Sequence, residues 1–144
     1  MEPVTSHAAR RVLALDIGER RIGVATSDAS GKLAFPVCVL PAAEVTSGAR
    51  SFRNVLADHE PELLVVGLPL TMAGEQGRQA ERIRSVAAAI AEQTGLPVAF
   101  CDERLSSSEA KRILREQGVS EKEARGSIDK YAAALFLQAW LDAR

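Results

Sequence analysis

Residues 11–27 read RVLALDIGERRIGVATS, an apolar run, a charged turn and a second apolar run. The first run, Arg11 to Ile17, is typical of a buried strand, and Gly18 with the charged residues after it predicts a turn. The second run predicts another strand from Ile22 to Ser27. The stretch therefore predicts a β-hairpin, and the rest of the fold is built outward from it.

The hairpin is extended by a third predicted strand, Leu33 to Leu40, which follows a turn at Asp28 to Gly31. Pro36 lies inside this strand, and proline favours an edge or bulged position because it has no backbone N–H to donate. We therefore expect the fold to open with an antiparallel meander of three strands.

After the meander the chain alternates helices with strands. A helix that ends before Pro61 is predicted by four apolar residues at helical spacing. They are Val45, Ala49, Phe52 and Leu56. Residues 62–67 read ELLVVG, and such a continuous apolar run is typical of a strand buried on both faces in a parallel arrangement. We expect this strand to be central.

The second half of the chain begins with a long glycine-rich loop, Gly67 to Gly77. A helix, a fifth strand from Val98 to Asp102, a helix from Ser106 to Gly118 and a last helix capped by Ser127 are predicted after it. The residues expected to face inward are Ala80, Ile83, Ala87, Ile90 and Ala91 in the first of these helices, and Ile128, Ala132, Leu135 and Ala139 in the last. The order predicts an α/β fold with one five-stranded mixed sheet flanked by helices.

The composition limits the classes of protein that remain. With 144 residues and 47% hydrophobic content, we expect a single domain at residues 11–144 behind a flexible tail at 1–10. The formal net charge of -1 supplies no global positive field, so any contact with nucleic acid must be local. No apolar run reaches the roughly 20 residues that cross a bilayer, so we expect a soluble, cytoplasmic protein without a membrane partner. Cys38 and Cys101 fit no metal-binding spacing and are expected to be buried thiols.

Three carboxylates lie at the ends of predicted elements. Asp16 closes the first strand, Glu103 closes the fifth, and Asp129 opens the last helix. An ionised group in the apolar sequence around Asp16 is costly unless it is paired, hydrogen-bonded or bound to a cation. Hard divalent cations prefer oxygen ligands, and two of them can support cleavage of a phosphodiester bond. The three acids are therefore candidate catalytic residues and candidate ligands of a Mg²⁺ or Mn²⁺ site.

Each acid also has an ordinary structural explanation as a cap, a turn residue or half of an ion pair. An Asp in the first turn of a helix, like Asp129, is favoured by the helix dipole alone. Because alternate strand residues point to opposite faces, only one of Asp102 and Glu103 should face the cluster, and the spacing does not choose between them.

Basic residues near these acids in the sequence are candidate contacts for substrate phosphates. The alternative is a solvated face with ordinary charge pairs, since Glu109 and Glu116 lie among them. The candidates are Arg20, Arg21, Arg104, Lys111, Arg112 and Arg125, with Arg115 at helical spacing from Lys111 and Arg112.

Four motifs occur in order along nearly the whole chain. They are LALDIGERRIGVATSD at 13–28, VVGLPLTMAGEQG at 65–77, DERLSSSEA at 102–110 and IDKYAAALFLQAWL at 128–141. Together they resemble the YqgF family, the pre-16S rRNA nucleases also described as Holliday-junction-resolvase-like proteins. Each motif alone is weak, since Asp-x-Gly after a strand also opens actin-like ATPases and sugar kinases.

The resemblance implies an RNase H-like sheet in which Asp16, Glu103 and Asp129 form an acidic triad, and it favours Glu103 over Asp102. It also implies a mobile loop beside the site at Gly67 to Gly77 and a role in maturing the 5′ end of the small-subunit rRNA precursor. Ser127 stands where a basic residue is frequent in the family, which would weaken one phosphate contact.

These observations predict a metal-dependent nuclease that acts on RNA, with precursor rRNA or an immature ribosomal subunit as its partner. The protein would be a monomer or a homodimer. A structure-selective resolvase of DNA junctions is an alternative, for which a symmetric dimer is expected because two strands are cut. A hypothesis of another class is a nucleic-acid-binding adaptor whose acids are idle. An actin-like nucleotide-binding fragment would need a longer chain and a second phosphate loop.

Overall fold

A computed structural model describes residues 11–69, 77–103, 115, 116, 118 and 128–144. The predicted tail at 1–10, most of the predicted loop from Gly67 to Gly77 and most of the predicted helix from Ser106 to Gly118 lie outside these residues. The elements are β1 (Val12–Ile17), β2 (Arg21–Ser27), β3 (Ala34–Pro41), α1 (Ala42–Thr46), α2 (Arg50–His59), β4 (Leu63–Leu68), α3 (Arg78–Thr94), β5 (Val98–Asp102) and α4 (Ile128–Ala143).

The sheet has five strands in the order β3-β2-β1-β4-β5. β2 pairs antiparallel with β1 and with β3, while β4 pairs parallel with β1 and with β5. The predicted meander and the mixed sheet are thus confirmed. β4 lies inside the sheet between two parallel neighbours, and all six of its residues are buried, as its continuous apolar run predicts.

The edge strand β3 carries the predicted proline. Val24 is paired with Cys38, but its neighbour Ala25 is paired with Pro36, so Val37 is an extra residue and the strand is bulged. Both expectations for Pro36 are met, because the strand lies at an edge of the sheet and the register shifts next to the proline.

The two faces of the sheet bury separate hydrophobic clusters. The α3 face packs against α1, α2 and α3, and its buried strand residues include Leu13, Leu15, Ile17, Leu64, Val66 and Leu68. The α4 face packs against α4, and its buried strand residues include Val12, Ala14, Leu63, Val65 and Cys101. Because side chains alternate along a strand, each strand contributes to both clusters.

The single helix predicted between Val45 and Leu56 is wrong, since the chain forms α1 and α2 with a break between them. Gly48 has a φ of 69°, which a helix does not tolerate. The Nε2 atom of Gln93 donates hydrogen bonds to the carbonyls of Val45 and Thr46 at 2.9 and 2.8 Å, which satisfies the end of α1. The stripe predicted for α3 is confirmed at Ala80, Ile83, Ala87 and Ile90, which are buried, whereas Ala91 is only half-buried.

The inward stripe predicted for α4 is met only in part, since Leu135 packs against the buried cluster of the α4 face. Ala132, Leu135 and Ala139 are only half-buried, and the side chain of Ile128 lies outside the described set. The buried residues are Ala133, Ala134, Phe136, Leu137, Gln138 and Leu141. The helix is apolar on almost every side, so its periodicity does not identify the buried side.

Gln138 fixes the orientation of α4. Its Oε1 accepts a hydrogen bond from the backbone N–H of Ala34, and its Nε2 donates to the carbonyl of Lys32, both at 2.9 Å. These partners lie where β3 begins, which is the end of the sheet where β1 also begins, because Ala34 pairs with Ser27 and the Ser27 hydroxyl accepts the Val12 N–H. α4 therefore runs antiparallel to β1. Within the described part of the chain, no helix is long and apolar enough to cross a membrane.

Candidate active site

Asp16 lies on the α4 face at the carboxyl end of β1. It continues the alternation of Val12 and Ala14, which belong to the buried cluster of that face. On one side it is paired with Gly23 of β2. On the other side, Leu15 is paired with Val66 of β4, so the register brings Gly67 beside Asp16. Neither neighbouring position has a side chain, so side chains from other elements can approach Asp16 on this face.

Glu103 directly follows β5 and lies on the same face as Asp16. Gly67 is paired with Cys101, and a Cβ atom added to Gly67 would stand 2.8 Å from Glu103 Cγ and 3.0 Å from its Oε1. The Glu103 side chain thus extends over the backbone of β4. It forms a hydrogen-bonding contact with the side chain of Asp16. The two acids, far apart in sequence, come together above Gly67.

The charge balance at Glu103 is unfavourable for two ionised acids. Burial raises the pKa of the Glu103 carboxyl, the hydrogen bond with Asp16 opposes that shift, and the negative charge of Asp102 raises the pKa further. The net direction is upward. Carboxylates in contact cannot both ionise at low cost, so either a shared proton or a bound cation must compensate the second charge.

The choice between Asp102 and Glu103, which the spacing leaves open, is resolved by the register. Asp102 pairs with Leu68, whose side chain belongs to the α3 face, while Glu103 reaches Asp16 on the α4 face. Val98 and Phe100 precede Asp102 at alternate positions and pack against the α3-face cluster. The structure thus places Glu103, the acid that the family resemblance favours, beside Asp16.

Asp129 is the second residue of α4, and its side chain lies outside the described set. Because Gln138 holds the later part of α4 over the beginning of β1, the helix starts toward the opposite end of the sheet, where Asp16 and Glu103 lie. Phe136, about two turns after Asp129, places its ring beside Gly67. The first turn of α4 therefore lies toward the same end of the sheet as the pair of acids.

The pair fits a hard divalent cation in the chemistry of its donors, since both side chains offer carboxylate oxygens. Among the residues that the structure describes, no three His, Cys, Asp or Glu side chains converge as a metal-binding group. Mg²⁺ is commonly held by one or two carboxylates together with water and substrate phosphates, so Asp16 and Glu103 can serve as its protein ligands.

Of the predicted phosphate contacts, the structure describes Arg20, Arg21 and Arg115. Arg20 and Arg21 are exposed and follow the turn at the carboxyl end of β1, so they lie at the same end of the sheet as Asp16. Arg104, Lys111, Arg112 and Arg125 lie outside the described residues, and Arg115 is exposed.

Two glycines of the site escaped the interpretation of the sequence, which treated Gly67 only as the end of an apolar strand and the start of a loop. A glycine that interrupts an apolar strand often marks a close approach of another group to the backbone, and this signal was present at both Gly23 and Gly67.

The cysteines take no part in this chemistry. Cys101 is buried and Cys38 half-buried, so the expectation of buried thiols holds fully only for Cys101. Burial raises the pKa of the Cys101 thiol to about 11, and the charges of Asp102 and Glu103 add to the effect. A thiol so rarely ionised is a poor nucleophile and a poor metal ligand.

Comparison with known proteins gives a family for this arrangement. A family model described as "RuvX: Holliday junction resolvase" matches residues 10–143. A protein of Acaryochloris marina named "Putative pre-16S rRNA nuclease" is 45% identical over 130 residues, which are 90% of this chain and 90% of the relative. A protein of Chloroflexus aggregans with the same name is 42% identical over 133 residues, which are 92% of this chain and 94% of the relative.

A solved structure has the same fold. The chain is similar to Thermus thermophilus RuvC with a TM-score of 0.53 and 18% sequence identity, over 93% of this chain and 95% of that one. RuvC has an RNase H-like fold, so the RNase H-like sheet that the motifs imply is confirmed.

Proposed function

The chain belongs to the RuvX (YqgF) family, and from that premise we propose that it is a metal-dependent nuclease that hydrolyses phosphodiester bonds in RNA. The observation that carries this proposal is the contact of Asp16 with Glu103 above Gly67, on the face of the sheet that α4 covers. The names of the relatives support the 5′ end of precursor 16S rRNA as the substrate, alone or within an immature ribosomal subunit. Such a substrate agrees with a cytoplasmic location.

Asp16, Glu103 and Asp129 would hold Mg²⁺ or Mn²⁺. When bound, such ions neutralise charge on the phosphate and make a water molecule nucleophilic at neutral pH, and a pair of ions is the common arrangement in nucleases. The unfavourable charge balance at Glu103 supports this role, because a cation would compensate the charge that burial and the neighbouring Asp102 make costly.

The protein's own residues supply position and access. Asp16 is held at the end of a buried strand, and the glycine beside it on β4 lets Glu103 approach it on the α4 face. Arg20 and Arg21, exposed at the same end of the sheet, would contact phosphates of the RNA strand. Arg104, Lys111, Arg112 and Arg125 are proposed for the same role from the sequence. Such local contacts are needed because the net charge is -1.

The proposal is tested by incubating the purified protein with Mn²⁺ or Mg²⁺ and labelled RNA that spans the 5′ end of precursor 16S rRNA. Asp16→Asn should abolish cleavage without changing the thermal midpoint by more than a few degrees, because it removes a charge but little volume. Asp58→Asn is the matched control, since it makes the same chemical change on the exposed surface of α2 and should cleave like the wild type. Cleavage by Asp16→Asn at the wild-type rate would contradict the proposal, and so would a wild-type protein without activity.

A second candidate function is the cleavage of four-way DNA junctions, which the description of the matching family favours. The two functions are separated by competition, in which unlabelled RNA or an unlabelled four-way DNA junction is added to the cleavage reaction. We expect RNA to compete at lower concentration. Stronger competition by the junction, together with a homodimer in solution, would favour the resolvase.

A further inference from the structure

We infer that Gly67 is a positioning residue: the absence of a side chain there lets the Glu103 carboxylate, which follows β5, reach Asp16 of β1 across the strand between them. The inference rests on the proposed function, because it concerns how the two acids come to share one site. It assigns a task to a residue that touches neither substrate nor cation.

The two acids are separated by the width of a strand. β1 and β5 are not neighbours, because β4 lies between them. Adjacent strands lie about 4.8 Å apart, so the backbones of β1 and β5 are separated by roughly twice that distance. Two acids on these strands can touch only if a side chain lies across the face of β4, and Glu103 does so.

The space at the crossing point is limited. A Cβ at position 67 would stand 2.8 Å from Glu103 Cγ and 3.0 Å from Glu103 Oε1. Carbon atoms in contact are normally about 3.5 to 4.0 Å apart, so even alanine would force Glu103 to move. Any larger residue would fill the path from β5 to Asp16.

The backbone conformation at position 67 does not itself require glycine. Gly67 is not among the glycines with positive φ, which are Gly31, Gly48, Gly95 and Gly118 among the described residues. It lies inside β4, where glycine is less favourable than a branched residue because it has more conformational freedom to lose. Its conformation is therefore open to other residues, and the close approach of Glu103 is what calls for glycine.

A competing explanation involves the other close neighbour. The same added Cβ would stand 2.9 Å from Phe136 Cε2, so Gly67 also gives room to the ring of α4. If packing against Phe136 were the whole role, shortening that side chain would cure the effect of a substitution at Gly67. If glycine is needed at position 67 because of Glu103, a shorter side chain at position 136 would restore packing in a Gly67 variant but would leave the two acids displaced.

The test compares three variants with the wild type. Gly67→Ala adds one carbon on the α4 face. Val66→Ile adds one carbon at the next residue of the same strand, where Val66 is fully buried on the α3 face, and serves as the matched control. Gly67→Ala with Phe136→Leu relieves the contact with the ring. Mn²⁺ binding is measured by calorimetry, the thermal midpoint is measured with and without Mn²⁺, and RNA cleavage is recorded separately.

We expect Gly67→Ala to bind Mn²⁺ at least about tenfold more weakly than the wild type, as displaced ligands typically do, and to lose cleavage in parallel. Val66→Ile should lose thermal stability but bind Mn²⁺ like the wild type. The double variant should regain thermal stability without regaining Mn²⁺ affinity. If Gly67→Ala does not fold, the double variant supplies the measurement.

Wild-type affinity for Mn²⁺ in Gly67→Ala, or its recovery in the double variant, would overturn the inference. A wild-type protein that binds Mn²⁺ but cleaves no nucleic acid would refute the proposed function, while weak binding by Gly67→Ala would still support the role of Gly67. A wild-type protein that binds no Mn²⁺ would overturn both.

Discussion

On the α3 face, β1 and β4 carry large aliphatic side chains along their whole length, whereas on the α4 face the aliphatic side chains give way at the carboxyl ends to Asp16 and Gly67. The α3 face has Leu13, Leu15 and Ile17 on β1 and Leu64, Val66 and Leu68 on β4. The α4 face has Val12, Ala14 and then Asp16 on β1, and Leu63, Val65 and then Gly67 on β4. One set of strands thus builds a uniform core on one side and, on the other, a core that opens into a polar site.

Burial on the α3 face offsets the cost of the charged groups at the end of the α4 face. The α3 face buries large side chains against three helices, and burial of each contributes about 1.5 to 3 kcal/mol. The α4 face buries smaller residues near its carboxyl end and leaves room there for Asp16 and Glu103. Substitutions on the two faces should therefore differ in what they damage, which is stability on the α3 face and activity at the end of the α4 face.

The largest effect is expected at Glu103. Glu103→Gln keeps the shape of the side chain but removes its charge, so RNA cleavage should fall by more than about 100-fold. Loss of a residue that only hydrogen-bonds to a metal ligand can already cost about 100-fold, and Glu103 is proposed as a ligand itself. Stability should be kept or increased, because the half-buried charge beside Asp16 is removed. Cleavage rates and urea unfolding, measured on the same preparations, check both parts. A variant that loses stability and keeps its activity would reverse the assignment of the two faces.

On the opposite face, Leu15→Ala should act on stability alone. Leu15 is fully buried, and loss of such a side chain costs about 2 to 5 kcal/mol. The neighbouring Asp16 keeps its strand position, so the folded fraction should cleave RNA at the wild-type rate. Denaturant unfolding gives the loss, and cleavage well below the unfolding midpoint gives the activity. A loss of activity larger than the folded fraction explains would show that the two faces are coupled.

A smaller effect is expected at the other end of the α4 face, where Gln138 anchors the helix. Gln138→Met removes the hydrogen bonds with Ala34 and Lys32 and should cost about 1 to 3 kcal/mol, as loss of buried polar contacts does. Because this anchor lies away from the acids, Mn²⁺ affinity should change little. Calorimetry on Gln138→Met tests this, and a large loss of affinity would mean that the anchor sets the position of Asp129.

The smallest effect concerns pH and lies outside both faces. Burial acts to raise the pKa of Asp28, but hydrogen bonds from Ser30 and from the backbone of Leu33, Lys32 and Gly31 prevail and lower it. The stabilisation is therefore present above the ordinary pKa of about 3.9 and is lost as the pH falls through the lower value in the folded protein. Asp28→Asn should be less stable than the wild type at pH 7, and the difference should shrink below about pH 4. Urea unfolding at several pH values checks this, and a difference that grows in acid would contradict it.

The strands could be predicted from the sequence because each apolar run ends at a glycine, a proline or a charged turn, as at Gly18 and Pro97. The break between α1 and α2 could not be predicted, since part of its cause is Gln93. The hydrogen bond from Gln93 to the Val45 carbonyl joins residues 48 positions apart in the sequence. The buried side of α4 was hidden because a helix apolar on almost every side has no single stripe.

The site was predictable in part. Asp16 is exceptional in its own strand, so its sequence neighbours alone indicate a special role. Glu103 could not be separated from Asp102 without the register, which depends on the pairing of β5 with β4. The importance of Gly67 follows only from the crossing of Glu103 above it, a contact between residues that the sequence does not relate.

The most direct test of the central claim, that Asp16 and Glu103 form a cation site on the α4 face, is a crystal structure of the protein grown with Mn²⁺ and measured at a wavelength where manganese scatters anomalously. We predict an anomalous peak within coordination distance of both carboxylates, above Gly67. A manganese peak at other residues, or no peak between Asp16 and Glu103 in crystals of a protein that cleaves RNA with Mn²⁺, would contradict the account.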